Sequence, residues 1–484
     1  MSKLVIRGGV PLRGEVPISG AKNSALALMV AAALAKGETV LRNVPHDRDV
    51  STMAGILRDL GVRVYFSEPH VLHVDGTDLK SDTAPYEPVR QMRASFYVAG
   101  LLLARLGRAK VPLPGGCQLG SRPVDFHLRG FEALGAKVNI EYGYMQAEAP
   151  RLAGATYFVN RASVGATVNV LMAATLAEGT TVLENAAKEP EIVDLAVLLN
   201  SMGARIRGAG TDVIRIDGVK ELHPGEHWVI PDRIEAGTYM MAAGITGGDL
   251  TLRNVELNHL RTPVVKLAEM GLHVEPQEGG GGTGSEAGAT GLVRVWTDPG
   301  AKRLRAIDVE TAPYPGFPTD LQPPLVALLS LANGTSVVRE TIFDRFRFVD
   351  ELRRMGADIR VERDTAIIRG VAKLTGAPVE AMDLRAGAAL VLAALAAEGQ
   401  TEISGVELID RGYEDLETKL RHVGAQVLRI TEKNGYGNRT IDPSPAVDPV
   451  PLLPARKSTA NKGADHGDGY ENEGGYQHAE PGGQ

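Results

Sequence analysis

The chain is poor in cysteine, in aromatic residues and in excess positive charge, each of which is typical of certain classes of protein. Its 484 residues contain one cysteine and 5% aromatic residues, and the net charge is −7. One cysteine excludes an internal disulfide and fits a reducing compartment, so we expect a cytoplasmic protein. The negative balance gives no indication of nucleic-acid binding. At this length, with 44% apolar residues, the chain can build two or more large cores.

Long hydrophobic runs and cofactor motifs are also missing. The longest apolar runs, 96–104 and 386–397, are too short to cross a bilayer. Residues 1–9 lack the apolar core and cleavage site of a secretory signal. The sequence has no Cys/His metal spacing, no HExxH and no GxxxxGK[ST], so we expect no metal, no cofactor and no membrane partner. The glycine run 279–284 is interpreted as a flexible insertion.

What the chain does have is an internal repeat. A five-residue phrase, which joins an apolar residue and a glycine to a later β-branched residue, occurs six times. Its glycines are Gly61, Gly135, Gly203, Gly271, Gly356 and Gly424, so the successive spacings are 74, 68, 68, 85 and 68. The long spacing contains the glycine-rich stretch 278–291, which we interpret as a surface insertion.

Each repeat predicts the same set of elements. The phrase ends an amphipathic helix such as 50–60, where glycine is the expected stop, and a strand follows. Upstream lie a strand and a nearly all-apolar helix, such as 24–34, 168–176 or 386–397. A helix that is apolar all round is buried. The predicted fold is therefore α/β: a two-domain, inside-out α/β barrel of six βαβαββ-type units, three per domain, with apolar helices inside and sheets outside.

The two ends of the chain indicate where the domains meet. Residues 1–21 supply one strand pair, and the last unit lacks a closing hairpin after 427–430. We expect the N-terminal strands to complete the last three units, which gives one domain of 1–21 plus 230–432. Residues 22–229 are then an inserted domain, and the tail 433–484 has the composition of a disordered segment.

Cations recur at matched helix starts. Lys22, Arg93 and Arg385 begin apolar helices, whereas Arg122, Arg345 and Arg411 begin amphipathic ones. If these ends point the same way, the two domains form an anion-binding cleft between them. Arginine suits bidentate capture of carboxylate or phosphate, and lysine acts as a point charge. Asp320 is the one acid among the apolar-helix starts, and a helix cap and a general base are both open interpretations.

The single cysteine lies in a loop rich in glycine and proline, 113–125. Glycines frame Cys117, and Arg122 follows at a predicted helix start, so the thiol should ionise more easily than a free one. A mobile functional loop and an incidental surface cysteine remain alternatives. His127, soon after, is predicted to be a hydrogen-bonded structural histidine rather than a catalyst.

Several motifs together resemble those of the enolpyruvyl transferases, over residues 4–430. They are SGAKN at 19–23, MRAS at 92–95, PGGC at 114–117 with RPVD at 122–125, SVGAT at 163–167, EPEIVD at 189–194, PDRIE at 231–235, FPTD at 317–320, DLRA at 383–386 and IDRGYE at 409–414. The shikimate-phosphate branch of the family shares the six-unit architecture but not the cysteine loop.

The resemblance implies transfer of the enolpyruvyl group of phosphoenolpyruvate to the 3-hydroxyl of UDP-N-acetylglucosamine, with release of phosphate, as the first committed step of peptidoglycan synthesis. It implies that Cys117 is the acid and Asp320 the base. Lys22, Arg122 and Arg411 would hold phosphate and carboxylate, helped by Arg93, Arg345 and Arg385, and Asn23 matches the sugar contact. The positions that match the nucleotide site are Pro123, Val124, Asp125, Phe126, Arg161, Ala162, Ser163, Val164, Gly165 and Ile342.

Three departures from the family pattern bear on the acceptor. Arg161 replaces the usual lysine, Phe126 replaces an aliphatic residue, and the segment 343–348 is one residue short. Two alternatives follow: a paralogue that uses another nucleotide acceptor, and a non-catalytic paralogue that binds a UDP-sugar. The presence of Lys22, Cys117, Asp320 and Arg411 together argues against the second alternative, because a binding protein needs no acid and base.

Overall fold

A computed structural model describes residues 2–114, 124–277, 290–298, 300, 303–432 and 439–441. The predicted site residues Cys117, Arg122 and Pro123 lie outside these ranges. So do residues 278–289, which make up most of the predicted insertion.

The first half of the chain runs through three units. Two strands come first: β1 (Ser2–Arg7) and β2 (Arg13–Pro17). The first unit contains α1 (Lys22–Ala32), β3 (Glu38–Arg42), α2 (Arg48–Asp59), β4 (Arg63–Glu68) and β5 (Val71–Asp75). The second contains α3 (Tyr86–Gln91), a 3-10 turn (Arg93–Tyr97), α4 (Val98–Leu106), β6 (Arg108–Pro112), α5 (Asp125–Ala133), β7 (Lys137–Glu141) and β8 (Tyr144–Glu148). The third contains β9 (Thr156–Phe158), α6 (Val164–Thr175), β10 (Thr180–Glu184), α7 (Pro190–Ser201), β11 (Arg205–Arg207) and β12 (Val213–Asp217), and β13 (Glu226–Trp228) follows.

The second half repeats the order. The fourth unit contains α8 (Arg233–Thr246), β14 (Asp249–Val255), a 3-10 turn (Leu257–Leu260), α9 (Arg261–Met270), β15 (Leu272–Gln277) and β16 (Gly291–Thr297). The fifth contains β17 (Val309–Glu310), a 3-10 turn (Thr319–Leu321), α10 (Gln322–Leu329), β18 (Thr335–Arg339), α11 (Val349–Arg354), β19 (Asp358–Glu362) and β20 (Thr365–Arg369). The sixth contains β21 (Pro378–Glu380), α12 (Leu384–Ala396), β22 (Gln400–Ser404), α13 (Val406–Ile409), α14 (Leu416–His422), β23 (Gln426–Glu432) and β24 (Arg439–Ile441).

Each unit contributes one small sheet. The strand orders are β13-β3-β5-β4, β6-β8-β7, β11-β12-β10-β9, β15-β16-β14-β2, β17-β18-β20-β19 and β21-β22-β1-β23-β24. Antiparallel and parallel pairs are mixed: β3 pairs antiparallel with β5, with Leu41 opposite Leu72, and parallel with β13, with Leu41 opposite His227. Buried and partly exposed residues alternate along β3, as expected of a sheet with one face on a core.

The apolar helices are buried on nearly all sides, and three of them, together with the amphipathic helix α2, begin earlier than the sequence predicts. Helices α1, α2, α6 and α12 start two to four residues before the predicted starts at 24, 50, 168 and 386. Side-chain caps explain most of the difference, because polar residues satisfy the first free backbone N–H groups. The capping residues are Asp47 for α2, Ser163 for α6, Asp232 for α8 and Asp383 for α12.

The six repeat glycines all have left-handed backbone conformations. Their φ angles lie between +91° and +101°. This conformation ends each amphipathic helix and turns the chain into the next strand, and a residue with a side chain adopts it only with strain. The repeated phrase therefore marks a backbone requirement as well as a sequence pattern.

The buried apolar side chains form two clusters. One contains residues from Ala25 to Val229, and the other contains residues 4–18 together with 234–427. We call the parts that form them the first lobe, 22–229, and the second lobe, 2–21 with 230–432. Strand β1 pairs with β22 and β23, and β2 pairs with β14, so both N-terminal strands lie in sheets of the second lobe.

The two chain crossings between the lobes pair with each other. The Ala21 N–H donates to the Ile230 carbonyl at 2.7 Å, and the Asp232 N–H donates to the Ser19 carbonyl at 2.9 Å. At the other end of the chain, β24 pairs antiparallel with β23, although it lies in the segment 433–484 for which the sequence predicts disorder. Among the ranges given above, no helix is long and apolar enough to cross a membrane.

Candidate active site

Lys22, at the start of α1, belongs to a charged cluster that joins the lobes. Its ammonium Nζ lies 3.0 Å from Asp49 Oδ2, and Arg411 Nε lies 2.8 Å from Asp49 Oδ1. Lys22 and Asp49 are 8% and 3% exposed. Since Asp49 lies in the first lobe and Arg411 in the second, one carboxylate brings two of the predicted phosphate-binding cations together.

Two opposing effects act on the pKa of Asp49. Burial disfavours its charged form, but the positive charges of Lys22 and Arg411 outweigh burial and hold the pKa below the ordinary value. Asp49 is therefore ionised at neutral pH and balances much of the positive charge of this cluster.

The loop 410–414, which carries Arg411, is held against the turn before α2. The Arg48 N–H donates to the Asp410 carbonyl at 3.2 Å, and the His46 N–H donates to Glu414 Oε1 at 2.7 Å. Arg429 on β23 donates to both oxygens of the Asp410 carboxylate, at 2.8 and 2.7 Å. The loop is thus fixed from both lobes.

Gly412 brings this loop directly onto Lys22. A Cβ atom at Gly412 would lie 3.2 Å from Lys22 Cδ and 2.9 Å from a methyl group of Leu384. Contacts this short leave little room for a side chain, which explains why glycine follows Arg411 here. Asn23, the predicted sugar contact, comes next after Lys22 in α1 and is half-buried.

Asp320 forms a second cluster with two buried arginines. Arg345 Nη1 lies 2.7 Å from Asp320 Oδ1, and Arg385 Nη2 lies 3.2 Å from Asp320 Oδ2. Asp320 lies in the 3-10 turn before α10, and its side chain is 26% exposed. The structure thus brings together three predicted site residues that are up to 65 positions apart.

The charges around Asp320 set its protonation. Burial opposes ionisation, but Arg345, Arg385 and, more weakly, Lys22 hold its pKa well below the ordinary value. The influence of Lys22 links the two clusters electrostatically. In this arrangement Asp320 is a carboxylate at neutral pH, and the two arginines make it a weak base.

Two guanidinium N–H groups of this cluster have no hydrogen-bond partner within the described chain. They are Arg345 Nε and Arg385 Nη1, and both atoms are buried. Arg345 also donates through Nη1 to the Thr319 carbonyl at 2.6 Å. Buried donors without a partner are costly, and a bound anion would satisfy them.

Except for Pro123, which is outside the described ranges, and Ile342, which follows β18, the residues predicted for the nucleotide lie at the starts of α5 and α6. Val124 precedes α5, Asp125 and Phe126 begin it, and the Phe126 carbonyl accepts a 2.7 Å hydrogen bond from the Tyr157 hydroxyl. Asp125 Oδ1 is buried without a partner in the described structure. The predicted residues 161–165 precede and begin α6, where Ser163 caps the helix through the Ala166 N–H at 3.4 Å.

His127 lies between these two helix starts. It is 5% exposed, and its Nδ1 accepts a 2.8 Å hydrogen bond from Asn169 Nδ2, as expected of a structural histidine. A Cβ at Gly165 would lie 3.0 Å from the imidazole, so α5 and α6 meet closely here. Burial and, to a lesser extent, the charge of Arg93 lower the pKa of His127 to about 3, which places Arg93 in the same region.

Arg161 reaches from the first lobe to the second. Its Nη2 donates to the Thr341 carbonyl at 2.9 Å, and the Ile342 carbonyl lies 3.5 Å away. Two residues predicted to hold the nucleotide, Arg161 and Ile342, are therefore adjacent, although they are 181 positions apart.

Sequence reasoning missed Asp49. The neighbouring Arg48 is a cation at the same helix start, but Arg48 is exposed. The signal that was available is the alternation of Asp47, Arg48 and Asp49 at a helix start, where one acid caps the helix and another is free to bind cations.

Comparisons with known proteins show which family the chain belongs to. Residues 6–420 match the family described as EPSP synthase (3-phosphoshikimate 1-carboxyvinyltransferase). UDP-N-acetylglucosamine 1-carboxyvinyltransferase 2 of Symbiobacterium thermophilum is 55% identical over 431 residues, covering 89% of this chain and 98% of the relative. The protein of the same description from Bacillus subtilis is 50% identical over 430 residues, covering 89% of this chain and 97% of the relative.

Among solved structures, the enolpyruvyl transferase NikO from Streptomyces tendae matches with a TM-score of 0.77 and 26% identity, covering 88% of this chain and 98% of that one. The fold is thus the two-domain α/β fold of these enzymes. The chain belongs to the EPSP synthase family of enolpyruvyl transferases.

Proposed function

We propose that this chain transfers the enolpyruvyl group of phosphoenolpyruvate to the 3-hydroxyl of UDP-N-acetylglucosamine and releases phosphate. One observation carries the proposal: Lys22 and Arg411, from different lobes, meet at Asp49, and in the Asp320 cluster beside them two buried guanidinium N–H groups have no acceptor in the described chain. The names of relatives about 50% identical over nearly their full length support this choice of substrate.

The anionic ends of phosphoenolpyruvate suit the two clusters. Lys22 and Arg411 would hold the phosphate, with Arg122 from the segment outside the described ranges. Arg345 Nε and Arg385 Nη1 would receive the carboxylate, since a planar guanidinium matches a carboxylate in shape. Fixed N–H donors of this kind stabilise the negative charge that develops on the substrate during the reaction better than mobile water molecules do.

The addition step needs one proton delivered and one removed, and the elimination step needs a second proton removed. As the sugar 3-hydroxyl oxygen bonds to C2 of phosphoenolpyruvate, its proton goes to a base and the methylene carbon gains a proton. A base then takes a proton from the new methyl group, the double bond forms again, and the C2–O bond breaks with its electron pair leaving on phosphate. We assign Asp320 as the base and, from the resemblance, Cys117 as the acid.

Substrate binding itself would make Asp320 a better base. With both arginines directed at it, the Asp320 carboxylate has a depressed pKa and holds a proton poorly. An anion bound to Arg345 and Arg385 shares their positive charge, which raises the pKa of Asp320 toward a value useful for proton transfer. Phosphoenolpyruvate therefore needs to be bound before the base is effective.

The nucleotide would lie along α5 and α6. The unpartnered Asp125 Oδ1 is an acceptor for a hydroxyl or N–H of the nucleotide, and Ser163 and Gly165 lie at the helix start where a diphosphate is favoured. Arg161 and Ile342 would close over it from the two lobes.

We also propose that the lobes are two domains of three units each, arranged as an inside-out α/β barrel with the apolar helices inside. Supporting this, α8, α10 and α12 pack against one another in the second lobe, as do α4 and α6 in the first. The segment with Cys117 lies between β6 and α5 in the sequence, and we propose that it acts as a lid.

Phosphate release tests the proposal directly. The purified protein receives phosphoenolpyruvate with UDP-N-acetylglucosamine, UMP or no acceptor. We expect release only with the UDP-sugar; release with UMP alone would identify another acceptor, and no release with either would contradict an enzymatic function. The variant Cys117→Ser should lose nearly all turnover and still bind the UDP-sugar. Full activity of this variant would reject Cys117 as the acid.

A further inference from the structure

Glu340 is a buried carboxylate that the mechanism above does not use. It follows β18 and is 3% exposed. Its oxygens accept four hydrogen bonds, from Thr311 Oγ1 at 2.9 Å, Thr319 Oγ1 at 2.9 Å, and the N–H groups of Ile342 and Phe343 at 2.8 and 3.1 Å. All four donors are neutral, so this carboxylate is held by hydrogen bonds rather than by an ion pair.

These four bonds fix two segments of the site. Thr319 directly precedes Asp320, the assigned base. Ile342 and Phe343 begin the segment that leads to Arg345, which in turn binds both Asp320 and the Thr319 carbonyl. Glu340 and Arg345 therefore hold the 319–320 turn from two sides.

Thr341, which follows Glu340, also contacts the first lobe. Its carbonyl accepts from Arg161 of the first lobe at 2.9 Å, and its N–H donates to Thr311 Oγ1 within the second lobe at 2.9 Å. A shift of Glu340 would therefore displace both Asp320, the assigned base, and the contact between the lobes beside the predicted nucleotide site.

We propose that Glu340 is a positioning residue for the reaction: it sets the place of Asp320 and of the 342–345 segment through hydrogen bonds. This inference rests on the proposed function. Glu340 does not touch the reacting atoms; its effect passes through Thr319 to Asp320 and through Ile342 and Phe343 to Arg345.

A carboxylate suits this task better than an amide. Two charged oxygens together accept four hydrogen bonds, whereas a glutamine has one accepting oxygen and an NH₂ group that only donates. In Glu340→Gln the amide oxygen can keep the bonds on the Thr311 and backbone side. The NH₂ group then faces Thr319, whose hydroxyl must turn round, and the turn that carries Asp320 is displaced.

The test compares Glu340→Gln and Thr319→Val with a control, Glu351→Gln. Glu351 is also buried in the second lobe; it accepts the backbone N–H of Glu380 at 3.0 Å and lies 3.4 Å from Arg354 Nε, and neither partner is a predicted site residue. We expect kcat to fall about 10- to 100-fold in the first two variants, since a small misplacement of a reacting group has effects of that size. KM for UDP-N-acetylglucosamine should change less than kcat, and the kcat of the control should stay near wild type.

Amide hydrogen exchange provides a readout that does not depend on activity. In Glu340→Gln, exchange should accelerate at residues 319–321 and 342–343, and in the control these amides should stay as in wild type. If kcat and exchange in Glu340→Gln and Thr319→Val match wild type, or if the control loses as much kcat, the inference is wrong. If the wild type itself releases no phosphate, the proposed function fails, and the exchange comparison still decides whether Glu340 fixes the two segments.

Discussion

At the residue scale, two carboxylates hold four of the predicted site cations in place. Asp49 holds Lys22 and Arg411, and Asp320 holds Arg345 and Arg385. Each acid keeps its cations in place until a substrate anion competes for them. A pair of buried like charges that loses its shared counterion is strongly destabilised, so the acids are as important to the site as the cations.

Replacing Asp49 with asparagine should therefore impair the use of phosphoenolpyruvate. The amide accepts from one cation but presents its NH₂ group to the other, and the two positive charges then repel each other. We expect kcat/KM for phosphoenolpyruvate to fall about 10- to 100-fold, the loss typical of one or two charge-assisted hydrogen bonds. Steady-state kinetics measure this. The control Asp59→Asn, at the exposed far end of α2, should leave kcat/KM unchanged. An unchanged or higher kcat/KM for phosphoenolpyruvate in Asp49→Asn would contradict the assignment.

His127 gives a pH-dependent prediction. Its pKa is lowered to about 3 in the folded protein by burial and by Arg93, against about 6.5 in an unfolded chain. Between these values the unfolded state binds the extra proton, so stability is fully present above pH 6.5 and falls as the pH is lowered toward 3.

The variant His127→Gln removes this contribution. The difference in the free energy of unfolding between wild type and variant should therefore shrink by about 2 kcal/mol from pH 7 to pH 5. Chemical denaturation at the two pH values measures it, with His223→Asn, at an exposed histidine, as the control. A difference that stays constant with pH would show that His127 is not held neutral by burial.

At the element scale, the repeat glycines and the helix caps decide where helices end and begin. Gly61 ends α2 with a φ of +101°, and a Cβ there would lie 2.5 Å from the Asp78 carbonyl oxygen. Gly55 lies inside the same helix, and a Cβ there meets nothing within 4 Å.

The two glycines should respond oppositely to alanine. Gly61→Ala should destabilise the protein by about 1–3 kcal/mol, because it combines backbone strain with a close contact. Gly55→Ala should stabilise it by up to about 1 kcal/mol, because alanine favours helix and the site has room. Thermal unfolding of both variants checks the pair. A stabilising Gly61→Ala would overturn the role assigned to the repeat glycines.

Elements were predictable from the sequence because their signals are local. The helix stop at Gly61, the buried helix 24–34 and the strand that pairs at 38–42 each follow from periodicity within about ten residues. The cations Lys22, Arg345 and Arg385 were found because equivalent positions in the repeat could be compared. Asp49 was not found because its partner Arg411 is 362 positions away, and Glu340 was not found because its partners Thr311 and Thr319 are 29 and 21 positions away; no local pattern points to either set of contacts.

At the scale of the whole molecule, the two lobes are joined by two paired crossings and by contacts such as that of Asp49 with Arg411. The two segments that cross between the lobes are hydrogen-bonded to each other, Ala21 to Ile230 and Asp232 to Ser19, so the two ends of the first lobe are adjacent. The first-lobe core uses no residue from outside 22–229.

The first lobe should therefore fold alone. A fragment of residues 22–229 should unfold cooperatively on heating, because it keeps its whole apolar core and loses mainly polar contacts such as that of Asp49 with Arg411. Circular dichroism and calorimetry measure this. A fragment without a cooperative transition would show that the lobes depend on each other for folding and would contradict the proposed domain division.

The central claim is that one substrate anion is held by cations of both lobes. Calorimetric titration of phosphoenolpyruvate into protein saturated with UDP-N-acetylglucosamine tests this most directly, in a Cys117→Ser background to prevent turnover. Adding Lys22→Gln, in the first lobe, and Arg345→Gln, in the second, should each weaken binding by about tenfold or more. Weakening by only one of the two substitutions would contradict a site shared between the lobes.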